Sequence, residues 1–221
     1  MGNAGIHIPR PRVKICGLTD PDNALACAQA GADIIGLVFY PKSPRHVTQL
    51  QAKAVVEALP KHVPAWGVFV NEPLETILET VNACGLKGVQ LHGREPAELI
   101  SALKARHITV IKAVFASRAP GLDTIDPMYA HADHILVECG MGQLPGGNAK
   151  TWEYGLARKT ARHHSVFLAG GLSCDNIEPA MLAALPAGVD LSSGVESAPG
   201  VKDILKVKEL LRRVTACTNR Q

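Results

Sequence analysis

The sequence predicts a single (β/α)₈ barrel of the α/β class, and three observations carry that reading. From Arg12 onward one unit recurs: a short aliphatic or β-branched run, a turn, then a polar-apolar stretch of helical period. The unit occurs eight times with no composition shift that would mark a domain boundary. An open doubly wound sheet seldom uses eight such even units, and no GxGxxG follows any strand candidate. The length of 221 residues suits single barrels, which begin at roughly 200 residues.

In chain order, residues 1–11 carry two prolines and little pattern and read as an N-terminal arm, with the barrel domain spanning 12–221. The strand candidates are Val13 to Cys16, Ile34 to Phe39, Ala65 to Val70, Gly88 to Leu91, Thr109 to Val114, His134 to Val137, Val166 to Ala169 and Val189 to Leu191. The helix candidates between them are Pro21 to Ala30, Thr48 to Leu59, Pro73 to Cys84, Glu95 to Lys104, Thr124 to Ala130, Tyr154 to His163, Asn176 to Leu185 and Asp203 to Val214. Asp20-Pro21 and Glu72-Pro73 are helix-start signals, because proline in the first turn forfeits no hydrogen bond.

Composition narrows the function classes. A hydrophobic content of 47% with only 4% aromatic residues supports a core of aliphatic side chains. The net charge of +3, without a Lys/Arg cluster on one predicted face, argues against nucleic acid as a partner. Six scattered cysteines with no CxxC pair suggest reduced thiols in a cytoplasmic protein. The first residues lack the apolar segment of a signal peptide, and no run approaches the roughly 20 residues of a membrane span. A soluble protein, monomer or homodimer, acting on a small molecule is expected. His131/His134 and His163-His164 lack metal-ligand spacing, so no metal is expected.

Barrel chemistry sits at the C-terminal ends of the strands, which makes the residues there the ones to inspect. Side chains alternate along a strand, so with Val13 and Ile15 against the outer helices, Lys14 and Cys16 face the interior. Most free cysteines are small buried hydrophobes; Cys16 at a strand end is also a candidate base. A buried Lys14 requires a counter-ion, and Asp190 on the last strand, which closes against the first, is the expected partner. The cation would also lower the Cys16 pKa. After the second strand, prolines stiffen a basic loop that presents Arg45, whose guanidinium suits a carboxylate. Asn71 and His92 at strand ends are weaker candidates. Glu138 closes the sixth strand as a candidate general acid, followed by a glycine-rich lid candidate at 139–151. Gly170 and Gly171 after the seventh strand, and Asp190, Ser192, Ser193 and Gly194 at the end of the eighth, fall where many barrels bind phosphate.

With these residues collected, the chain resembles the phosphoribosylanthranilate isomerase family of tryptophan biosynthesis. The similarity runs through VKICGLT, GLVFYPKSPRHV, GVFVN, VQLHG, IKAV, LAGGL and GVDLSSGVESAPGVKD. It implies an Amadori rearrangement of N-(5-phosphoribosyl)anthranilate, a phosphoribosyl small molecule, with no cofactor, since the substrate's own iminium is the electron sink. It also implies Cys16 as general base, Arg45 as the anthranilate-binding arginine, and Gly170, Gly171, Ser192, Ser193 and Gly194 as phosphate loops.

Two departures fall on one side of that site. The family's acid is an aspartate where this chain has Glu138. Its next loop usually reads GGTG and then a phenylalanine, an aspartate and a tryptophan, whereas here Gly146-Gly147-Asn148-Ala149 precedes Trp152-Glu153-Tyr154. Two alternatives stay open at this point: a paralogue isomerising another aminoribosyl phosphate, and a non-catalytic phosphate-ligand binding barrel. Arg45 separates the first of them, because such a substrate lacks the anthranilate carboxylate.

Overall fold

Runs such as IIGLV and TVIKAVF are buried on both faces, as strands of a parallel sheet sheathed by helices must be. In the computed structural model, which describes residues 10–140 and 151–219, eight such strands close into a parallel barrel in sequence order. They are β1 (Arg12–Cys16), β2 (Ile34–Val38), β3 (Ala65–Phe69), β4 (Gly88–Leu91), β5 (Thr109–Phe115), β6 (His134–Glu138), β7 (Val166–Leu168) and β8 (Gly188–Leu191). Every expected strand is present, and no end differs by more than one residue. No helix among the described residues is long and apolar enough to cross a membrane.

The helices are α1 (Pro21–Ala30), α2 (Gln49–Ala58), α3 (Leu74–Cys84), α4 (Ala97–Lys104), α5 (Arg158–Ala161), α6 (Ile177–Ala184) and α7 (Ile204–Asn219). Asp20 starts α1 by accepting the Asn23 N–H at 2.8 Å, with Pro21 in the first turn and Gly31 (φ 110°) ending it. Thr48 and Gln51 cap α2 reciprocally. Pro73 stands just before α3 rather than inside it.

Two expected helices are broken. Thr124–Ala130 is replaced by a tight turn at Leu122–Thr124 and a wide, π-type turn at Ile125–Tyr129, where Pro127 has no N–H to give the carbonyl four residues back. Residues 154–163 divide into a 3₁₀ turn (Tyr154–Ala157) and the short α5, because Tyr154 is tied to the β7 end. An unforeseen antiparallel hairpin, β9 (Glu196–Ala198) and β10 (Val201–Lys202), follows β8 and sets Lys202 beside Glu196.

Alternation along the strands sorts side chains into two cores. Val13, Ile15, Ile35, Leu37, Val89 and Val137 pack outward against the helices. Ile34, Trp66, Ile111, Leu136 and Phe167 fill the barrel interior. Gly88 and Gly188 make room for that plug, since a Cβ there would lie 2.8 Å from Trp66 and 2.5 Å from Phe167. On the outside, buried Lys112 bonds Glu95 Oε2 and the Gly93 carbonyl, each at 2.8 Å. Glu95 in turn accepts the Asn71 and Gly93 N–H groups. This brace fixes the loops after β3 and β4, and it gives Asn71 a structural place rather than one in the cleft.

Candidate active site

Above the apolar plug, inward positions near the C-terminal strand ends turn polar: Lys14 and Cys16 on β1, Gln90 and His92 at β4, Glu138 on β6, Asp190 on β8. They open into a cleft at the C-terminal mouth of the barrel, where the loops after β7 and β8 meet β1 and the loop after β2. Its walls include all nine residues expected from the sequence: Cys16, Arg45, Glu138, Gly170, Gly171, Asp190, Ser192, Ser193 and Gly194.

The expected Lys14–Asp190 pair is present. The register places the two side by side, and Lys14 Nζ donates to both carboxylate oxygens at 2.9 and 3.0 Å in full burial. Burial works to lower the Lys14 ammonium pKa, but Asp190 and Cys16 together hold it above its ordinary value, so the lysine is a fixed cation. For Cys16 the expectation is corrected. Lys14 does pull the thiol down, but burial outweighs it, and the thiol stands above, not below, its ordinary value.

Glycines shape the space around the thiol. A Cβ at Gly36 would meet Cys16 Sγ at 2.7 Å, so β2 must carry glycine for the thiol to fit. Gly17 (φ 80°) lets the Arg45 stem cross β1, where an added Cβ would clash with its Cδ. At the far rim a Cβ on Gly194 would run into the Leu172 carbonyl, so the loops after β7 and β8 touch through backbone.

Glu138 is buried and its Oε1 lies 3.2 Å from His92 Nε2. The Gln90 amide lies 2.7 Å from His92 Nδ1, so the ring is held between Gln90 and Glu138. His92, a weak candidate in the sequence, thus belongs to the site, and Gln90 joins it. Trp152 Nε1 and the Tyr154 hydroxyl donate to the carbonyls of Ala169 and Gly170, each at 2.9 Å, anchoring the chain beside Glu138 to the end of β7. Gly146, Gly147, Asn148, Ala149 and most of the lid candidate lie outside the described residues.

Arg45 reaches the cleft but is not idle. Its Nε and Nη2 grip Glu196 Oε1 and Oε2 at 2.8 and 2.6 Å. Lys202 Nζ, fully buried, bonds the same Oε1 at 2.6 Å and the Ser192 hydroxyl at 3.3 Å. Burial alone would raise the Glu196 carboxyl pKa; the two cations hold it down at about 2. Neither Glu196 nor Lys202 was singled out from the sequence, although Pro199-Gly200 between them is a turn signal that foretells the hairpin pairing them. Among the described residues no group of three or more His, Cys, Asp or Glu is placed to hold a metal ion.

Residues 13–213 match the model of a family described as N-(5'-phosphoribosyl)anthranilate (PRA) isomerase. A protein of that name from Desulfatibacillum aliphaticivorans is 48% identical over 204 residues, covering 92% of this chain and 93% of its own length. The crystal structure of the phosphoribosyl anthranilate isomerase of Thermotoga maritima superposes with a TM-score of 0.86 at 37% identity, covering 93% of this chain and 99% of that one. A structure of such an isomerase in complex with reduced 1-(o-carboxyphenylamino)-1-deoxyribulose 5-phosphate gives 0.83 at 36% identity, with the same coverage of both chains. On the matched span, the identity and the shared barrel, the chain belongs to the phosphoribosylanthranilate isomerase family.

Proposed function

We propose that the cleft isomerises N-(5'-phosphoribosyl)anthranilate to 1-(2-carboxyphenylamino)-1-deoxyribulose 5-phosphate, with Cys16 as general base and Glu138 as general acid. Family membership supplies the reaction, a step of tryptophan biosynthesis. The observation that carries the residue roles is the convergence of a thiol, a buried carboxyl, a guanidinium and two glycine-serine loops on one cleft.

Glu138 protonates the ribose ring oxygen, and the C1–O bond breaks as the nitrogen lone pair forms the iminium. Cys16, as thiolate, takes the C2 proton, which the iminium has acidified, and the electron pair passes to nitrogen. The enol-amine then tautomerises to the ketone. Around the barrel, β8 and β7 lie between β1 and β6, and this order supports a reading in which the loops at 170–171 and 192–194 grip the phosphate between base and acid. Arg45, after β2, lies on the other side of Cys16, for the anthranilate carboxylate.

The test is direct. Purified protein consumes phosphoribosylanthranilate with loss of the anthranilate fluorescence, and Cys16→Ala lowers kcat by about 10²–10⁴, the range of a general base. A folded wild type that leaves the fluorescence unchanged refutes the activity; a fully active Cys16→Ala refutes the role.

A further inference from the structure

We infer that Lys202 and Glu196 set the carboxylate specificity of the cleft: Glu196 orients Arg45, and Lys202 supplies the second cation that leaves the cluster with one positive charge in excess. This rests on the proposed function and extends it to two residues that touch no reacting atom.

The argument is a charge count. Arg45 spends its Nε–Nη2 edge on Glu196, a bidentate contact at 2.8 and 2.6 Å. A guanidinium paired that way is locked in direction, and its remaining edge through Nη1 has no partner among the described residues. A lone Arg–Glu pair, however, is neutral, and an incoming carboxylate would meet the Glu196 charge almost as closely as the arginine. Lys202 changes the balance. Its ammonium shares Oε1 with Arg45 at 2.6 Å and has no exposed side-chain surface. Oε1 also accepts the Gly200 N–H at 3.1 Å, so the Glu196 carboxylate is saturated from its own chain. Two cations on one carboxylate leave a net charge of +1, and a substrate carboxylate on the free Arg45 edge completes a neutral set of four.

The architecture builds this cluster deliberately into the scaffold. The antiparallel β9–β10 register sets Lys202 opposite Glu196. The Asn23 side chain ties the β10 backbone to α1, accepting the Lys202 N–H at 2.7 Å and donating to its carbonyl at 2.9 Å. Gly17 admits the Arg45 stem. Buried charges are costly unless paired, and a purely structural pair needs one cation per carboxylate. An anionic ligand on the free Arg45 edge accounts for the extra cation.

The experiment measures binding, so it does not depend on turnover. Calorimetry compares two unreactive ligands: reduced 1-(o-carboxyphenylamino)-1-deoxyribulose 5-phosphate and the same molecule without the ring carboxylate. Their Kd ratio is the carboxylate selectivity. Lys202→Met is expected to lower that ratio tenfold or more, the order of one charge about 8 Å away at an effective dielectric constant of about 20. Adding Glu196→Gln to Lys202→Met restores the count to +1 on Arg45 and is expected to recover most of the selectivity. A merely structural role weakens both ligands alike and gains nothing from the second substitution. An unchanged ratio in Lys202→Met, or no recovery in the double variant, overturns the inference. Should Lys202→Met not fold, Lys202→Gln, which keeps a donor toward Ser192, carries the same expectation. Turnover of phosphoribosylanthranilate by the wild type tests the isomerase reading separately.

Discussion

Glu138→Asp installs the aspartate that the family resemblance implies at the proposed acid position and is expected to impair this protein. The carboxyl stands 3.2 Å from His92 Nε2, and His92 is itself held by Gln90 at 2.7 Å. At unchanged backbone, deleting one methylene withdraws the carboxyl by roughly one C–C bond, about 1.5 Å, past hydrogen-bond reach of the ring. A displacement of about 1 Å in a reacting group costs roughly a hundredfold, so kcat for Glu138→Asp is expected to fall by about that factor. Glu138→Gln, which keeps the length and loses the proton, is expected to fall by about 10²–10⁴. The assay follows the loss of substrate fluorescence at saturating phosphoribosylanthranilate. If Glu138→Asp stays within about threefold of wild type, a change of less than about 1 kcal/mol in the barrier, the fit of the longer acid to its Gln90–His92 support is refuted.

Two further outcomes follow from the geometry. Gly36→Ala places a methyl group 2.7 Å from Cys16 Sγ and 3.0 Å from its Cα; kcat is expected to drop roughly a hundredfold by displacing the thiol, with a stability loss of about 1–3 kcal/mol, and steady-state kinetics with a thermal melt that show neither would contradict the packing. His134 sits at the closed end of the barrel between Arg12 and Ser165, and burial, aided by the Arg12 cation, pushes its pKa down to about 4. Because the unfolded histidine protonates first, near 6.5, stability is expected to fall between pH 6.5 and 4 by about 1–3 kcal/mol and to level off below. His134→Asn should flatten that part of the Tm profile, and a variant with the wild-type slope would assign the acid sensitivity to another group.

The barrel was legible because its signals are local. Each strand is a run of Val, Ile and Leu, and the caps at Asp20 and Thr48 announce the helices that follow. Lys14 and Asp190 were paired across 176 residues by two arguments alone, side-chain alternation and the closure of strand 8 on strand 1. Where reasoning failed, a tertiary contact decided. The sign of the Cys16 shift depends on how completely β2 and β8 bury the thiol, which no motif records. Glu196 and Lys202 escaped notice because a charge in a predicted loop reads as solvated; only the β9–β10 register shows the two buried together. Residues 154–163 read as one helix, and the Tyr154 bond to the Gly170 carbonyl, 16 residues away, breaks it.

The charges around Cys16 also bear on how a thiol that burial holds protonated works as a base. Lys14 and Lys202 both favour the thiolate, while burial and Asp190 oppose it. Lys14 is neutralised by Asp190 at 2.9 Å, so of the two lysines Lys202 is the one whose cluster keeps a positive excess. In the proposed binding mode a substrate carboxylate on Arg45 cancels that excess, and a phosphate beside Ser192 adds negative charge next to Lys202. Both changes raise the basicity of the sulfur, because added negative charge nearby disfavours the anion. A higher pKa makes the thiolate scarcer but a stronger acceptor once formed. In the proposed mechanism the iminium carries the opposite charge and appears only after Glu138 has opened the ring. Ground-state binding thus withdraws support from the thiolate, and the cationic intermediate returns it at the C2 carbon, where the proton must leave.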